Sequence, residues 1–256
     1  MNIGIRNSKG ECILKVDCHS HITATFVENN VRIIEQGEKV CGGPRPNIIE
    51  DDSDFSKTLL LVEENLFGSG IANYRKKSSK NYVSSVFQGM YHKEVFEKCG
   101  LLDEKVGRVE DNEFHYRLRK AGYKIRYSND IVSYQYTRPT LKKMLKQKYA
   151  NGYWIGKVSH VFPKAFSIFH FVPFVFVLAI IFSLAMTFIT KFFVLTLASV
   201  YLLFTLFVTV ATIVQNKFNV TILLMPVLLF LIHISYGLGT LVGLVKGISW
   251  KKEYKK

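Results

Sequence analysis

Between Lys164 and Lys246 the only charged residues are Lys191 and Lys217, and most of the rest is apolar. A helix that is hydrophobic all round belongs in a large core or in a membrane. Three apolar runs divide this block, Phe166 to Ile189, Phe192 to Val214 and Phe218 to Val245. Each is at least as long as the roughly 20 residues that a membrane-crossing helix needs. The chain therefore has two unlike parts, since nearly all of its acids lie before Lys164 and only Glu253 comes after.

The net charge of +14 would suggest a nucleic-acid partner in a soluble protein. Here much of the excess flanks the apolar block. Lys142, Lys143, Lys146, Lys148, Lys157 and Lys164 precede it, and Lys251, Lys252, Lys255 and Lys256 follow. Juxtamembrane lysines are drawn to anionic headgroups, which explains the sign without nucleic acid. Leu141 to Gly152 interleaves these lysines with Met144, Leu145 and Tyr149, the pattern of a helix lying in the membrane interface. Lysines at both ends of the block call for an even number of crossings, whereas three runs make an odd one. The expectation is two or three spans. The third run, with Pro226, His233, Gly237, Gly239 and Gly243, is best suited to an irregular path.

The first part reads as α/β. Strands are expected over Glu11 to Val16, Val40-Cys41, Lys124 to Tyr127 and Ile131 to Tyr136, with Val83 to Tyr91 extended. Helices are expected over Thr23 to Glu35, Phe55 to Asn65, Lys93 to Cys99 and the stretch after Asp111. Strands alternating with helices imply a partly parallel sheet. The expected domains are 1–140, an interface helix over 141–164, and a membrane region over 165–256 with its basic tail. Cys12, Cys18, Cys41 and Cys99 show no paired spacing, so a reduced cytosolic face is expected. No apolar run follows Met1, so no signal peptide is expected.

Two stretches carry chemistry. Asp17-Cys18-His19 follows a strand, where ligands of open α/β sheets collect. Asp17 and His19 could offer an oxygen and a nitrogen to one divalent ion, or the tripeptide could be a polar turn. Cys18, His19 and His21 could instead bind zinc, but ligands crowded on one short loop rarely close a tetrahedron. The second stretch is Glu110-Asp111-Asn112-Glu113, running into a helix with Phe114, Leu118 and Ala121 on one face and Gly122 as its stop. Asp111 suits a helix cap, the ordinary role of an Asp at a helix start, and it also suits a base beside an anionic leaving group.

Taken in order, these stretches resemble a family 2 glycosyltransferase of the bacterial exopolysaccharide or capsule type. Val16-Asp17-Cys18-His19-Ser20 is similar to that family's Asp-Ala-His version of its metal motif. Gly42-Gly43, Phe67-Gly68-Ser69-Gly70 and Gly89-Met90-Tyr91-His92-Lys93-Glu94-Val95-Phe96 recur at similar order and spacing. Glu110-Asp111-Asn112-Glu113 with Arg117 and Gly122 looks like its acidic acceptor-site motif. Gln147 to Trp154 resembles its Gln-rich interface helix, and His233 to Gly239 its last membrane segment.

The resemblance implies a GT-A domain followed by an all-α membrane region, a nucleotide-diphosphate sugar donor and inversion at the anomeric carbon. It implies Mg²⁺ or Mn²⁺ on Asp17 and His19, and Asp111 and Glu110 as catalytic residues, with Asp111 taking the proton from the acceptor hydroxyl. Gly42, Gly43, Gly89, Arg117, Gln147 and Trp154 would line the donor and acceptor. The acceptor would be lipid-linked or a polysaccharide, and the catalytic domain would face the cytoplasm from a bacterial, multi-pass membrane anchor. The family's early nucleoside-reading strand and loop find no match after Met1, so the expected nucleotide-binding sheet is incomplete and activity is expected to suffer. Competing readings are an inactive remnant or partner subunit, and transfer to polyprenyl phosphate itself.

Overall fold

The computed structural model describes residues 1–18, 20–65, 67–68 and 79–255. In chain order the elements run α1 Asn2–Asn7, β1 Cys12–Leu14, β2 Ser20–Ile22, α2 Phe26–Glu35, β3 Val40–Gly42, β4 Asn47–Ile48 and α3 Asp54–Glu64. Then come β5 Tyr82–Val83, β6 Gly89–His92, α4 Lys93–Cys99, α5 Glu110–Lys120, β7 Ile125–Tyr127 and β8 Ser133–Tyr136. The remaining helices are α6 Leu141–Val158, α7 Val172–Met186, α8 Phe192–Gln215 and α9 Met225–Tyr254. They form two compact units, Met1–Ile48 with Ile71–Tyr136, and Ile49–Gly70 with Thr137–Lys256. Thus α3, inside the 1–140 stretch, is part of the helical unit.

The first unit is built on a five-stranded sheet of order β1-β6-β3-β7-β5, in which only β3 and β7 run parallel. A second, three-stranded sheet has the order β2-β8-β4. Successive strand residues face opposite ways, and both sides of the larger sheet are covered. Val40 and Tyr91 join Val95, Phe96, Phe114 and Leu118 on one side. Cys41 and Met90 join Phe26, Ile33 and Ile131 on the other. The partly parallel sheet agrees with the expectation. The strands β2 and β4 and helix α1 were not legible, being too short for a periodicity to show.

In the second unit α3 starts at Ser53, whose hydroxyl accepts from the Ser56 N–H at 3.3 Å. Leu59 and Val62 of α3 pack with Met144, Val208, Ile222, Met225 and Leu229. Lys148 of α6 and Glu63 of α3 form a buried ion pair at 2.9 Å. The α6 lysines therefore divide: Lys142, Lys143 and Lys146 are exposed, whereas Lys148 is sealed in. The hydroxyls of Thr205, Thr209 and Thr212 in α8 bond back to carbonyls of their own helix, which satisfies them without water. Ile168–Met186, Phe192–Gln215 and Val220–Tyr254 are each long and apolar enough to cross a membrane. Exposed Leu184, Leu203, Phe207, Val214 and Val245 give them an outer surface suited to lipid.

The third run opens with a 3-10 turn over Val220–Leu224 and does not break at its proline or glycines. Among the described residues α9 is one continuous 30-residue helix. Pro226 lies in its first turn, where a missing N–H costs nothing. The glycines serve another purpose. A Cβ on Gly239, Gly243 or Gly247 would run into the backbone of Tyr149, Tyr153 or Lys157, and one on Gly152 or Gly156 would meet Tyr236 or Thr240. Both series advance in the same direction by four residues, so α6 and α9 lie parallel in backbone contact, the small-xxx-small arrangement of membrane helices. Ser235 Oγ, donating to the Leu145 carbonyl at 2.8 Å, continues the same register. Gly243→Leu should push the pair apart and destabilise the helical unit by about 1–3 kcal/mol or more, whereas Gly243→Ala should cost less. Thermal unfolding in detergent checks this. Equal melting of both variants and the wild type would mean that the contact is dispensable.

Candidate active site

The carboxyl end of β1 and the start of α5 meet in the first unit. The Lys15 N–H donates to the Gly89 carbonyl at 3.0 Å, which extends the β1–β6 pairing by one residue. Leaving that edge, the Lys15 side chain runs to Asp111, its Nζ donating to Oδ1 at 2.5 Å. The same ammonium lies 3.9 Å from Asp17 Oδ1. Asp17 Oδ2 accepts from Gln88 Nε2 at 3.4 Å, and Gln88 Oε1 accepts from Ser133 Oγ at 2.9 Å. Asp111 is only 8% exposed, so this is a desolvated ion pair and not a surface contact.

The cap reading of Asp111 does not hold. The N-cap of α5 is Val109, with no side-chain cap bond, and Asp111 Oδ1 accepts from Lys15. Glu110, Asp111 and Glu113 still gain from the positive end of the helix. Glu110 Oε2 is buried and has no hydrogen-bond partner among the described residues.

Burial pushes the Asp111 carboxyl up to about 6. The nearby charges of Glu110 and Asp17 push the same way, and Lys15 holds it back. Beneath it His115 is fully buried, with Nδ1 2.8 Å from Ser85 Oγ and Nε2 2.8 Å from Tyr91 Oη. Burial, followed by the charges of Lys15 and Arg119, lowers the His115 imidazole to about 3. Burial and the Asp111 charge raise the Tyr91 phenol well above its ordinary value. At neutral pH His115 and Tyr91 are thus uncharged. A cavity of about 470 Å³ opens beside it, with Lys15 and Asp111 on a wall otherwise built from residues such as Ile5, Leu14, Phe96 and Phe114.

The other expected site residues distribute as follows. Arg117 binds Glu113 through Nε and Nη2 at 2.5 and 2.8 Å, and donates to the carbonyls of Cys99 and Leu101. It clamps the corner between α4 and α5. A Cβ on Gly42 would come 2.9 Å from Val86 Cβ, one on Gly43 would strike the Ser128 and Ile131 carbonyls, and one on Gly89 would come 2.9 Å from Tyr91 Oη. These glycines make room for their protein neighbours. Gln147 and Trp154 lie on α6 in the helical unit, and Lys157 Nζ stands 4.7 Å over the Trp154 ring. His19, Ser69 and Gly70 lie outside the described residues. Among the described residues no three His, Cys, Asp or Glu side chains are grouped so that they could hold a metal ion.

Sequence reasoning missed Lys15, although its signal was present. Residues i and i+2 of an extended chain share a face, so the β1 exit points Lys15 and Asp17 the same way. It also missed Gln88 and His115, each an isolated polar residue whose partners come from distant segments.

The profile of "Glycosyl transferase family group 2" matches residues 13–234. The chain is similar to the dolichyl N-acetyl-alpha-D-glucosaminyl phosphate 3-beta-D-2,3-diacetamido-2,3-dideoxy-beta-D-glucuronosyltransferase of Methanococcus voltae. The two are 28% identical over 254 residues, which cover 97% of this chain and 75% of that protein. It is also 27% identical over 100 residues to the succinoglycan biosynthesis protein ExoA of Rhizobium meliloti (strain 1021), covering 39% of this chain and 30% of that protein.

Proposed function

Since the chain belongs to glycosyl transferase family group 2, we propose that it moves a sugar from a nucleotide-diphosphate donor to a lipid-linked or polysaccharide acceptor. The setting is the cytoplasmic face of a bacterial cell membrane, with the helical unit as a multi-pass anchor. The reading rests on Asp111, a buried carboxylate raised to about 6 on the wall of a cavity and held in place through one oxygen. Such a group is ionised at neutral pH and close enough to it to be an effective base. The acceptor class draws support from the relatives' names, one a transferase acting on a dolichyl-linked sugar phosphate and the other a succinoglycan biosynthesis protein.

Asp111 takes the proton from the acceptor hydroxyl as its oxygen bonds to the anomeric carbon. The bond to the leaving diphosphate breaks on the opposite face, so the configuration inverts. Glu110, next in chain and half-buried, keeps the acceptor side negative, which favours proton uptake by Asp111.

Members of the family generally use a divalent cation. Asp17 fits one: its carboxylate is a hard oxygen ligand at a strand end, and Lys15 at 3.9 Å does not fill its coordination space. Mg²⁺ commonly takes one or two carboxylates and completes its shell with phosphate and water. Asp17, with His19 as the resemblance assigns it, would hold the ion, which when bound neutralises the diphosphate. Asp17→Ala is expected to weaken nucleoside diphosphate binding in Mn²⁺ by about tenfold or more and to remove its sensitivity to chelator. Equilibrium binding of labelled UDP, GDP and dTDP, with and without EDTA, reads this. Binding that ignores both changes would overturn the metal assignment.

The pH dependence follows from Asp111. Only its ionised form accepts a proton, so kcat should be flat above pH 7 and fall about tenfold per pH unit once the pH drops below about 6. A kcat independent of pH between 5 and 7 would remove Asp111 from the base role.

A further inference from the structure

The Lys15 side chain is 9% exposed, enclosed with the carboxylates of Asp111 and Asp17, and its backbone is anchored to β6 through Gly89. A flexible lysine on a surface would forfeit most of its attraction to solvent screening. Here the strand end fixes the root of the side chain and burial keeps the charge effective.

The contact is one-sided, since Nζ reaches Asp111 Oδ1 at 2.5 Å. A carboxylate held by one oxygen keeps its plane and presents the other. Lys15 also stands between the place where negative charge disappears during transfer, Asp111, and the strand end at Asp17. We infer that Lys15 is a positioning residue of the transfer reaction: its ammonium fixes the Asp111 carboxylate through Oδ1 and leaves Oδ2 to take the acceptor's proton. This rests on the reading of Asp111 as the base.

The rival assignment is a direct ligand of the donor diphosphate, and the two differ in which step they disturb. A residue acting through Asp111 affects proton removal and becomes silent once Asp111 is gone. A diphosphate ligand affects donor binding whether or not Asp111 is present.

The test uses membranes carrying the full chain, with Lys15→Met, Lys15→Gln, Asp111→Asn and the Lys15→Met/Asp111→Asn double variant. Transfer is measured with whichever labelled nucleotide sugar of a panel gives the highest incorporation, and binding with labelled UDP, GDP and dTDP. Lys15→Met should lower kcat by about 10- to 100-fold with the nucleoside diphosphate affinity unchanged. Lys15→Gln, which keeps a hydrogen-bond donor but not the charge, should fall between Met and the wild type. In the Asp111→Asn background the Lys15→Met change should cost nothing more, because the effects of residues acting as a unit do not multiply. Should Lys15→Met fail to accumulate, Lys15→Gln carries the same comparison.

The inference fails alone if Asp111→Asn abolishes transfer while Lys15→Met keeps the wild-type rate. It also fails if the two losses multiply, or if diphosphate affinity drops as far as kcat does. Undiminished transfer by Asp111→Asn would instead sink the base assignment and this inference with it.

Discussion

Asp111→Asn is expected to lower sugar transfer by about 10²- to 10⁴-fold while nucleoside diphosphate binding stays near the wild-type level. Asparagine has almost the same shape, so α5 keeps its position and the cavity its outline. What changes is proton affinity, because an amide cannot take a proton from a hydroxyl near neutral pH. The amide oxygen can still accept from Lys15, which limits the cost of leaving a buried ammonium without its counter-charge. Donor binding is expected to survive because the base acts on the acceptor. Glu110→Gln provides the comparison: Glu110 is adjacent and half-buried, but Lys15 bonds to Asp111 and not to it. It should cost less in rate and shift the acid limb of kcat to lower pH, since the Glu110 charge helps raise Asp111. A larger loss from Glu110→Gln than from Asp111→Asn would exchange their roles.

The second large effect is expected in the helical unit. Lys148→Met should destabilise it by about 3–5 kcal/mol, because Glu63 is then a buried carboxylate that has lost the ammonium 2.9 Å away. Glu63→Leu combined with Lys148→Met should recover most of that loss, since a well-packed apolar pair at a buried site is often neutral or stabilising. Membrane-extracted protein melting at the wild-type temperature with Lys148→Met alone would show that the pair is solvated in the folded protein. The double variant separates stability from function: if it folds and still transfers sugar, the pair is structural.

Much of this could be read from local patterns, and the failures have identifiable physical reasons. The helix after Asp111 was legible because Phe114 and Leu118 recur at helical spacing and both are buried. The three apolar helices were legible because their length and composition are those of helices able to cross a membrane. Asp17 and Asp111 were legible as types of residue at the right kind of place, and the structure adds the lysine between them. That link needs a contact across 96 positions, which no periodicity encodes.

Similarly, Glu63 was an ordinary acid at the end of an amphipathic helix until folding brought it against Lys148, 85 positions later. The glycines of α9 were misread because glycine has two uses in a membrane helix, to break it or to let a neighbour approach. Spacing distinguishes them. Gly239, Gly243 and Gly247 repeat every four residues and match Gly152 and Gly156 on α6, so the second use prevails. Arg117 read as a ligand-facing cation because arginine suits phosphate. Its guanidinium is engaged by Glu113 one turn earlier and by two carbonyls of the preceding loop, a local clamp that i, i+4 spacing already permits.

Membranes containing the full chain, incubated with a panel of labelled nucleotide sugars and then extracted with organic solvent, test most directly whether this chain transfers sugar to a lipid-linked or polysaccharide acceptor with Asp111 as the base. The wild type should move label from at least one donor into the lipid extract or the polysaccharide residue, and Asp111→Asn, present at equal level, should move almost none. Equal incorporation by the two, or none from any donor in wild-type membranes that contain lipid-linked acceptors, would contradict the claim.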